Sequence, residues 1–366
     1  MKKIPWWQAK IGNKEYGLIK SVLKDNFPNE GRLAIEFENK LASLLKVKHV
    51  VVVTNGTSAM YLSLKALGIG FGDEVIVPDL TFIATANAVE MTGAKAVLVD
   101  INKDTLNIDI NSIKKAITKK TKAIIPVHVS GRAADLTSII KLAKKEKLFV
   151  IEDAAEAFMS KYKGKYLGTF GVTGCFSLSP AKTITTGQGG FIATDNSKVY
   201  RKLKMLKDQG RPKRGTGGDD IHYDLGFNFK FTDLQAALGL GQLSYLTKRI
   251  QRMRRNYKLY QKYLSGLKEV TLLKFDLEKG ELPQWCDGLF EEKDKLNKYL
   301  QSKNIDCRPF WHPIHTQAYY KKSDKLFPIS TICSKKAMWL PSAFTLRDSD
   351  IKEVCQNIIE FYGSKK

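Results

Sequence analysis

The feature that most constrains the fold is a regular alternation of short apolar runs with segments of helical spacing. The apolar runs, rich in valine and isoleucine, lie at 49–53, 74–77, 96–99, 122–127 and 148–151. The segments of helical spacing between them lie at 57–67, 81–92, 110–118 and 135–146. Continuous apolar runs are typical of strands buried on both faces, and helices between them provide the crossovers that parallel strands need. The alternation therefore predicts a three-layer α/β domain with a mostly parallel central sheet.

The rest of the chain predicts a second, smaller domain. Two more strand candidates lie at 174–177 and 190–194, and a long helical region runs from a predicted N-cap at Thr232 to about residue 264. Beyond it we expect strands at 269–275 and 283–287, and helices at 291–303 and 348–361. We predict a large α/β domain over residues 1–240, which includes N-terminal helices at 15–26 and 33–46. A smaller α+β domain is expected over residues 241–366.

Composition narrows the class of protein. The five cysteines are scattered and form no C-x-x-C pair, which favours free thiols in a reducing compartment and argues against a structural zinc or other metal site. No apolar run approaches the roughly 20 residues that a membrane helix needs. The two lysines near the N-terminus are not followed by the apolar segment of a signal peptide. We therefore expect a cytoplasmic protein with no membrane span.

The formal net charge of +23 has two explanations. It reflects either a solvated lysine-rich surface or a basic entrance that attracts an anionic substrate. Nucleic-acid binding would need the charge concentrated in a stripe, whereas lysine and arginine are spread widely, with modest clusters at 141–147 and 249–255. Nucleic acid is therefore not expected as the primary partner.

The first segment with possible chemistry follows the strand that ends at Val53. Asn55 and Gly56 make a turn, and the hydroxyl residues Thr57 and Ser58 open the next helix. The first N–H groups of a helix attract anions, and the two hydroxyls could add donors to a phosphate. Strand–turn–helix segments of this kind are also common without a ligand, so both explanations stay open for this segment alone.

A second segment places carboxylates at the end of another apolar run. Glu152, Asp153 and Glu156 follow the strand predicted at 148–151. Ligands of open α/β sheets bind at the carboxyl ends of the strands, where an aspartate could hold a protonated heteroaromatic nitrogen. The alternative is an ordinary helix N-cap after the strand.

The third segment contains Lys182, between two strand candidates and beside a loop rich in glycine and threonine at 183–190. Ser177 lies five residues upstream. A buried lysine has a lowered pKa, and its neutral amine can form a Schiff base with an aldehyde. Composition alone does not distinguish Lys182 from the many surface lysines.

Five motifs together resemble the DegT/StrS family of nucleotide-sugar aminotransferases, which depend on pyridoxal phosphate (PLP). They lie in the family's order at 55–59, 81–87, 152–156, 176–187 and 225–228. The resemblance covers almost the whole chain, from the segment at 28–32 to the loop that ends at His315. It implies the aspartate-aminotransferase-like fold (PLP fold type I) and a homodimer with shared active sites.

The resemblance also implies roles for single residues. Lys182 matches the lysine that bonds to the PLP aldehyde and later moves a proton between substrate and cofactor. Asp153 matches the carboxylate paired with the pyridine nitrogen, which keeps the ring an electron sink. Phe82 matches an aromatic residue that stacks on the cofactor ring, and Glu156 a polar residue near the ring substituents.

The resemblance implies a phosphate site as well. Gly56, Thr57 and Ser177 match phosphate-binding positions, and Ser58 lies beside them. Asn228 matches an asparagine that reaches the phosphate from the neighbouring subunit; without the family, a loop asparagine in a turn would be the natural interpretation.

For the substrate, the resemblance implies a site near the loop of Arg308 and His315, with Asn29 as a further candidate that could equally be a plain turn residue. Two positions depart from the family pattern. Gln188 stands where many members carry glutamate, and Phe227 where many carry tyrosine.

The expected reaction moves an amino group from an amino acid, glutamate, to a nucleotide-diphosphate keto sugar, a 4-keto-6-deoxy sugar for surface polysaccharide. The segment 182–187 is similar to the GDP-perosamine synthase branch, which aminates C4 of GDP-4-keto-6-deoxymannose. The alternatives are a PLP-dependent sugar dehydratase or lyase, and an inactive relative that binds sugar nucleotides or nucleic acid. The dehydratase branch replaces the lysine by histidine, so Lys182 argues against it, and the intact pair of Lys182 and Asp153 argues against an inactive relative.

Overall fold

The predicted alternation of strands and helices is present in the structure, a computed structural model that describes residues 2–212 and 221–364. The strands before residue 200 are β1 (His49–Val53), β2 (Glu74–Pro78), β3 (Lys95–Val99), β4 (Thr121–Ile124), β5 (Phe149–Asp153), β6 (Lys161–Tyr162), β7 (Lys165–Tyr166), β8 (Thr173–Ser177) and β9 (Gly190–Thr194). Strands β6 and β7 form a separate hairpin, and the other seven form one sheet.

This sheet has the strand order β1-β9-β8-β5-β4-β2-β3. The pairs β2–β3, β2–β4, β4–β5 and β5–β8 are parallel, and β9 runs antiparallel to both of its neighbours. The expectation of an α/β fold with a mostly parallel central sheet is therefore confirmed.

Helices cover both faces of the sheet. Those before residue 210 are α1 (Asn13–Lys24), α2 (Arg32–Leu45), α3 (Gly56–Ala66), α4 (Ala84–Glu90), α5 (Ile110–Ala116), α6 (Leu136–Glu146) and α7 (Ser197–Lys207). In β1, Val51 and Val53 belong to one buried cluster, whereas Val50 and Val52 belong to another. Successive side chains of a strand point to opposite faces, so the unbroken valine run reflects a strand that is buried on both sides.

The remaining elements are a helix that packs against α1 and α2, and a smaller antiparallel sheet with its own helices. They are α8 (Asp233–Leu243), α9 (Leu246–Leu264), β10 (Val270–Leu272), β11 (Asp287–Phe290), α10 (Lys293–Ser302), β12 (Arg308–Pro309), α11 (Pro328–Lys336), β13 (Ala337–Trp339) and α12 (Asp348–Gly363). The sheet order is β10-β11-β13-β12. Ile4, near the N-terminus, packs in the core of this part and pairs with Ile305. The domain boundary between residues 240 and 241 stays a prediction.

The structure corrects several boundaries. The long helix expected at 232–264 is two helices, interrupted at Ser244 and Tyr245. Its N-cap is as predicted, because the Thr232 side chain accepts a hydrogen bond from the N–H of Gln235. The strand expected at 283–287 begins only at Asp287, and α7, α11 and β13 were not predicted. A strand as short as β13 is too brief to show a periodic pattern and is defined by its partners in the sheet.

Within the described ranges, none of the helices is both long and apolar enough to span a bilayer. All five cysteines are buried and have free thiols. Among the residues placed by the structure, no group of histidine, cysteine, aspartate or glutamate side chains is arranged to hold a metal ion.

Candidate active site

A cavity of about 300 Å³ lies where several strands of the large sheet end, a size at the lower end of ordinary ligand pockets. We call it the site cavity. Its lining includes residues at the ends of β1, β2, β5 and β8 or in the loops that follow them: Asn55, Gly56, Thr57, Thr81, Phe82, Asp153, Glu156, Ser177 and Lys182. Parallel strands share one carboxyl edge, so loops that are far apart in the chain meet there.

One corner of the site cavity is the first turn of α3. The Oδ1 atom of Asn55 accepts hydrogen bonds from the N–H and the hydroxyl of Ser58, at 2.8 and 3.0 Å. The N–H groups of Gly56 and Thr57 precede this capped position, at the helix end that attracts anions. A Cβ atom on Gly56 would lie 3.2 Å from the Cβ of Ser177, so glycine allows the close approach of two loops. This corner fits a phosphate group.

Asp153 lies at the end of β5 and is buried. Its Oδ2 accepts from the Thr85 hydroxyl at 2.8 Å, and its Oδ1 accepts from the N–H of Ala155 at 3.1 Å. Burial raises the pKa of Asp153, while these two hydrogen bonds act in the opposite direction. Within the described chain no cationic side chain lies at ion-pair distance from this carboxylate. It therefore fits a ligand that brings a positively charged N–H group.

The Lys182 amine lies inside the site cavity. Its Nζ is 3.5 Å from Oε1 of Glu156 and 4.6 Å from the centre of the Trp285 ring. Burial lowers the pKa of Lys182, and the nearby carboxylates of Glu156 and Asp153 oppose this shift. The amine is therefore neutral more readily than that of a surface lysine, which is what bonding to an aldehyde requires.

Glu156 is the carboxylate that faces this amine. Its Oε2 accepts a 2.8 Å hydrogen bond from the N–H of Ser130, which fixes its orientation. Burial raises the pKa of Glu156, and the charge of Lys182 opposes that change. Burial thus shifts both groups toward their neutral forms, while their mutual attraction favours the charged ones.

An aromatic wall that the sequence did not predict borders the site cavity. All five tryptophans of the chain pack in one cluster, with ring centres 5.2 Å apart for Trp6 and Trp285, 5.2 Å for Trp285 and Trp339, and 4.7 Å for Trp311 and Trp339. Three of them line the site cavity: Trp285, Trp311 and Trp339. They come from distant parts of the sequence, so no local pattern signals the cluster.

Arg308, a predicted substrate residue, lies at this wall. Its guanidinium is 4.9 Å from the centre of the Trp6 ring and 5.8 Å from that of Trp339, and the residue lines the site cavity. Gln188, one of the two departures from the family pattern, also lines the cavity. The other departure, Phe227, packs against Tyr61 instead.

Of the remaining predicted residues, one lines the site cavity and three do not. Phe82 lines the site cavity and is 54% exposed. Ser58 is buried behind the cavity wall, with its hydroxyl bonded to Asn55. Asn29 and Asn228 are exposed, and neither lines the cavity of its own chain.

His315 is placed differently from the expectation of a substrate contact. Its side chain is fully buried, with Nδ1 2.7 Å from Oδ2 of Asp79 and Nε2 3.3 Å from Oδ1 of Asp324. It is not part of the lining of the site cavity. In this structure it ties the loop after Arg308 to the end of β2, so its contact with substrate stays a prediction.

Comparisons with known proteins agree with the geometry. The sequence pattern of the DegT/DnrJ/EryC1/StrS aminotransferase family matches residues 9–359. The chain is 38% identical over 370 residues to GDP-perosamine synthase from Escherichia coli O157:H7, covering 100% of both proteins. It is 37% identical over 332 residues to GDP-perosamine synthase from Caulobacter vibrioides, covering 88% of each.

A solved structure of DesV from S. venezuelae, in complex with a ketimine intermediate, superposes with a TM-score of 0.93 at 27% identity and covers 99% of both chains. The predicted fold class, family and cofactor are confirmed. The chain belongs to the DegT/DnrJ/EryC1/StrS aminotransferase family and is a sugar aminotransferase that depends on PLP.

Proposed function

We propose that this enzyme moves the amino group of glutamate to C4 of a nucleotide-linked 4-keto-6-deoxy sugar used in surface polysaccharide, with GDP-4-keto-6-deoxymannose as the first candidate. The observation that carries the proposal is the buried Lys182 amine, 3.5 Å from Glu156 in a cavity that also contains Asp153. The choice of sugar is supported by the similarity to two GDP-perosamine synthases.

We propose that the cofactor is held by the residues around the site cavity. Asp153 would pair with the ring nitrogen, since its buried carboxylate has only neutral donors of its own. Phe82 would lie on the ring face and Glu156 near the ring substituents. The phosphate would be held by the first turn of α3 and by the facing loop, through Gly56, Thr57, Ser58 and Ser177. When bound, PLP supplies an electron sink for the carbon that loses its proton.

Lys182 would move that proton. Burial favours its neutral form, which accepts a proton from the substrate carbon, and the carboxylate of Glu156 favours the charged form that results. The wall formed by Trp285, Trp311 and Trp339 would keep water away from this side of the cavity. Both substrates would use one cavity in turn, so glutamate leaves as its keto acid before the sugar enters and the kinetics are ping-pong.

The substrate and assembly assignments belong to the same proposal. Arg308 lies beside the cavity against two indole rings, and no carboxylate of the described chain lies at ion-pair distance from it. Its guanidinium would therefore contact the anionic nucleotide diphosphate. Asn228 is exposed and would reach the cofactor phosphate of a neighbouring subunit in a cytoplasmic homodimer. No contact in the structure supports Asn29 or His315 as substrate residues.

The first experiment is a visible spectrum of the purified protein with PLP, before and after excess glutamate. A yellow band that bleaches with glutamate supports amino transfer, and a protein that never takes up PLP contradicts it. The Lys182→Ala variant should show neither the band nor turnover.

The second experiment identifies the sugar. Products from a panel of nucleotide-linked keto sugars are analysed by mass spectrometry after the glutamate step. An amino sugar formed fastest from GDP-4-keto-6-deoxymannose supports the proposal. A deoxygenated product without nitrogen would indicate a dehydratase, and a strong preference for another sugar would overturn the choice of substrate.

A further inference from the structure

The loop that carries Lys182 is bound by side chains from three distant parts of the chain. These side chains donate to the carbonyl oxygens on either side of the lysine. The three bonds are Trp7 Nε1 to Pro180 O at 2.8 Å, Trp285 Nε1 to Ala181 O at 3.2 Å and Arg249 Nη1 to Thr183 O at 2.8 Å. We call the three donors the carbonyl clamp.

The carbonyl clamp acts on a segment that has little support of its own. Residues 180–183 belong to no helix or strand, and within the described ranges no backbone N–H donates to the three carbonyls. The donors lie 173, 104 and 66 residues away from their acceptors along the chain. The N–H of Lys182 donates locally to Ser179 O at 3.1 Å, whereas the carbonyls on either side of the lysine are held by elements outside the cofactor-binding loops.

Arg249 is the unusual member of the carbonyl clamp. It lies on α9, is 4% exposed, and its other hydrogen bonds go to Lys10 O at 3.0 Å and Gln242 Oε1 at 2.6 Å. All three acceptors are neutral, and no carboxylate of the described chain lies at ion-pair distance from it. Burial lowers the pKa of Arg249 to about 10.

A buried cation without a directly paired carboxylate is costly. Hydrogen bonds to neutral oxygens and the charge of the nearby Glu15 offset that cost only in part. A neutral side chain would hold α9 against the large sheet without this cost. A neutral apolar side chain would provide none of the three hydrogen bonds of Arg249, and the one to Thr183 O ends one residue from Lys182.

We propose that Arg249 is a positioning residue for Lys182, and that the carbonyl clamp keeps the amine at its place beside Glu156 in the site cavity. The inference rests on the proposed role of Lys182. Fixing the peptide groups before and after the lysine fixes its Cα, which leaves only the side-chain torsions free. Small displacements of a reacting group are expensive, since about 1 Å can cost roughly a hundredfold in rate.

The test compares variants in the full-length, PLP-loaded enzyme. Arg249→Met removes the bond to Thr183 O together with those to Lys10 O and Gln242, and Arg249→Lys keeps the charge and part of the donor capacity. Arg254→Met is the matched control, because Arg254 lies on the same helix and donates to a backbone carbonyl, that of Leu277, outside the site. Three properties are measured: the rate constant of the glutamate half-reaction, the pH dependence of the visible band, and the unfolding temperature.

We expect Arg249→Met to slow the glutamate half-reaction by about tenfold or more, as the loss of one charge-assisted hydrogen bond would. The pH midpoint of the visible band should also move, and Arg249→Lys should restore part of both. Arg254→Met should leave rate and midpoint unchanged even where its unfolding temperature falls. Equal rates and midpoints in the parent and in Arg249→Met would overturn the inference, because a purely structural arginine would lower only the unfolding temperature.

A folding failure of Arg249→Met does not remove the test. Trp7→Phe keeps an aromatic ring at this position but deletes the N–H that binds Pro180 O, together with part of the indole ring. It should move the pH midpoint in the same direction as Arg249→Lys, and an unmoved midpoint in both would count against the carbonyl clamp.

Borohydride reduction followed by peptide mass analysis distinguishes a failure of the proposed function from a failure of the positioning role. A parent enzyme without cofactor on the Lys182 peptide contradicts the proposed function itself, whereas a labelled parent with an unaffected Arg249→Met contradicts the positioning role alone.

Discussion

The N–H of Ser130 donates a 2.8 Å hydrogen bond to Oε2 of Glu156 and so holds this carboxylate beside Lys182. Ser130 has a positive φ of 54°, which is uncommon for a residue other than glycine. Its hydroxyl donates to Oδ2 of Asp287 and accepts from Nε1 of Trp339, both at 2.8 Å. Two strands of the smaller sheet therefore fix a carboxylate of the site cavity, through one serine whose backbone is determined by its surroundings.

The first prediction concerns the charge next to the amine. Glu156→Gln removes the carboxylate that opposes the lowered pKa of Lys182, so the amine should stay neutral to lower pH. The uptake of PLP by the cofactor-free protein, followed by visible absorbance as a function of pH, should show its acid limb at lower pH than in the parent.

Glu36→Gln is the control for this experiment, because Glu36 forms an exposed pair with Lys40 on α2. It should leave the uptake profile unchanged. An acid limb that stays in place or moves to higher pH in Glu156→Gln would show that Glu156 does not set the proton affinity of Lys182.

The second prediction concerns stability and Asp153. Burial raises its folded-state pKa above the unfolded value, so the cofactor-free protein loses stability as the pH rises through the folded-state pKa. Asp153→Asn removes the carboxylate and with it the cost of burying its negative charge. Without PLP, its unfolding temperature at pH 7 should equal or exceed that of the parent, and the difference should shrink as the pH falls. Added PLP should stabilise the parent more than the variant.

Asp348→Asn should behave in the opposite way. A hydrogen bond from Arg255 lowers the pKa of Asp348, so its contribution is present above the unfolded pKa and is lost as the pH falls through the folded one. This variant should therefore unfold at a lower temperature at pH 7, with a deficit that stays constant down to about pH 5. An Asp153→Asn variant that is clearly less stable than the parent without PLP would contradict the argument from burial.

The third prediction concerns the ion pair behind Ser130. Both carboxylate oxygens of Asp287 accept from the Arg132 guanidinium at 2.7 Å, and both side chains are almost fully buried. Asp287→Ala leaves a buried cation without its partner, which should cost about 3–5 kcal/mol in the free energy of unfolding. Urea unfolding measures this change. Asp276→Ala, which breaks an exposed pair with Lys279, should cause no resolvable change, and equal effects of the two substitutions would refute the prediction.

The fourth prediction uses two glycines in helices. Gly17 in α1 has no atom within 4 Å of the Cβ that alanine would add, so Gly17→Ala should stabilise the protein by about 0.5–1 kcal/mol. A Cβ on Gly239 in α8 would lie 2.6 Å from the Phe37 ring, which is fully buried. Gly239→Ala should therefore destabilise, because the close-packed ring cannot move away. Chemical unfolding of both variants tests the opposite signs, and a stabilised Gly239→Ala would show that α2 and α8 are loosely packed.

Much of the large sheet could be predicted because its strands are continuous runs of β-branched residues between helices. The predicted strand at 49–53 has the observed bounds, and the other early strands differ by a few residues at their ends. The smaller sheet was predicted less well, since its strands have two to four residues and depend on partners far along the chain. The position of His315 shows the same limit, because its burial depends on Asp79, which precedes it by 236 residues.

The sequence by itself determined which loops carry chemistry, because a motif that follows a parallel strand lies at the one carboxyl edge where ligands bind. Asp153 was found in this way, whereas Gly56 was found as part of a helix N-terminus and Lys182 through the motifs shared with the family. Only the tertiary structure decided what surrounds them. Glu152, next to Asp153, turns to the opposite face and accepts N–H donors from the loop 168–171, whereas Asp153 lines the site cavity.

The aromatic wall and the carbonyl clamp are also features that only the tertiary structure decided. The side chains that hold Lys182 in place come from the N-terminal segment, α9 and the segment before β11, and they are separated from the lysine loop by 66 to 173 residues. Local sequence sets backbone conformation and the strand edge on which a residue lies. Contacts between distant segments depend on how all the elements pack together, so the partners of Lys182 were decided by the folded structure alone.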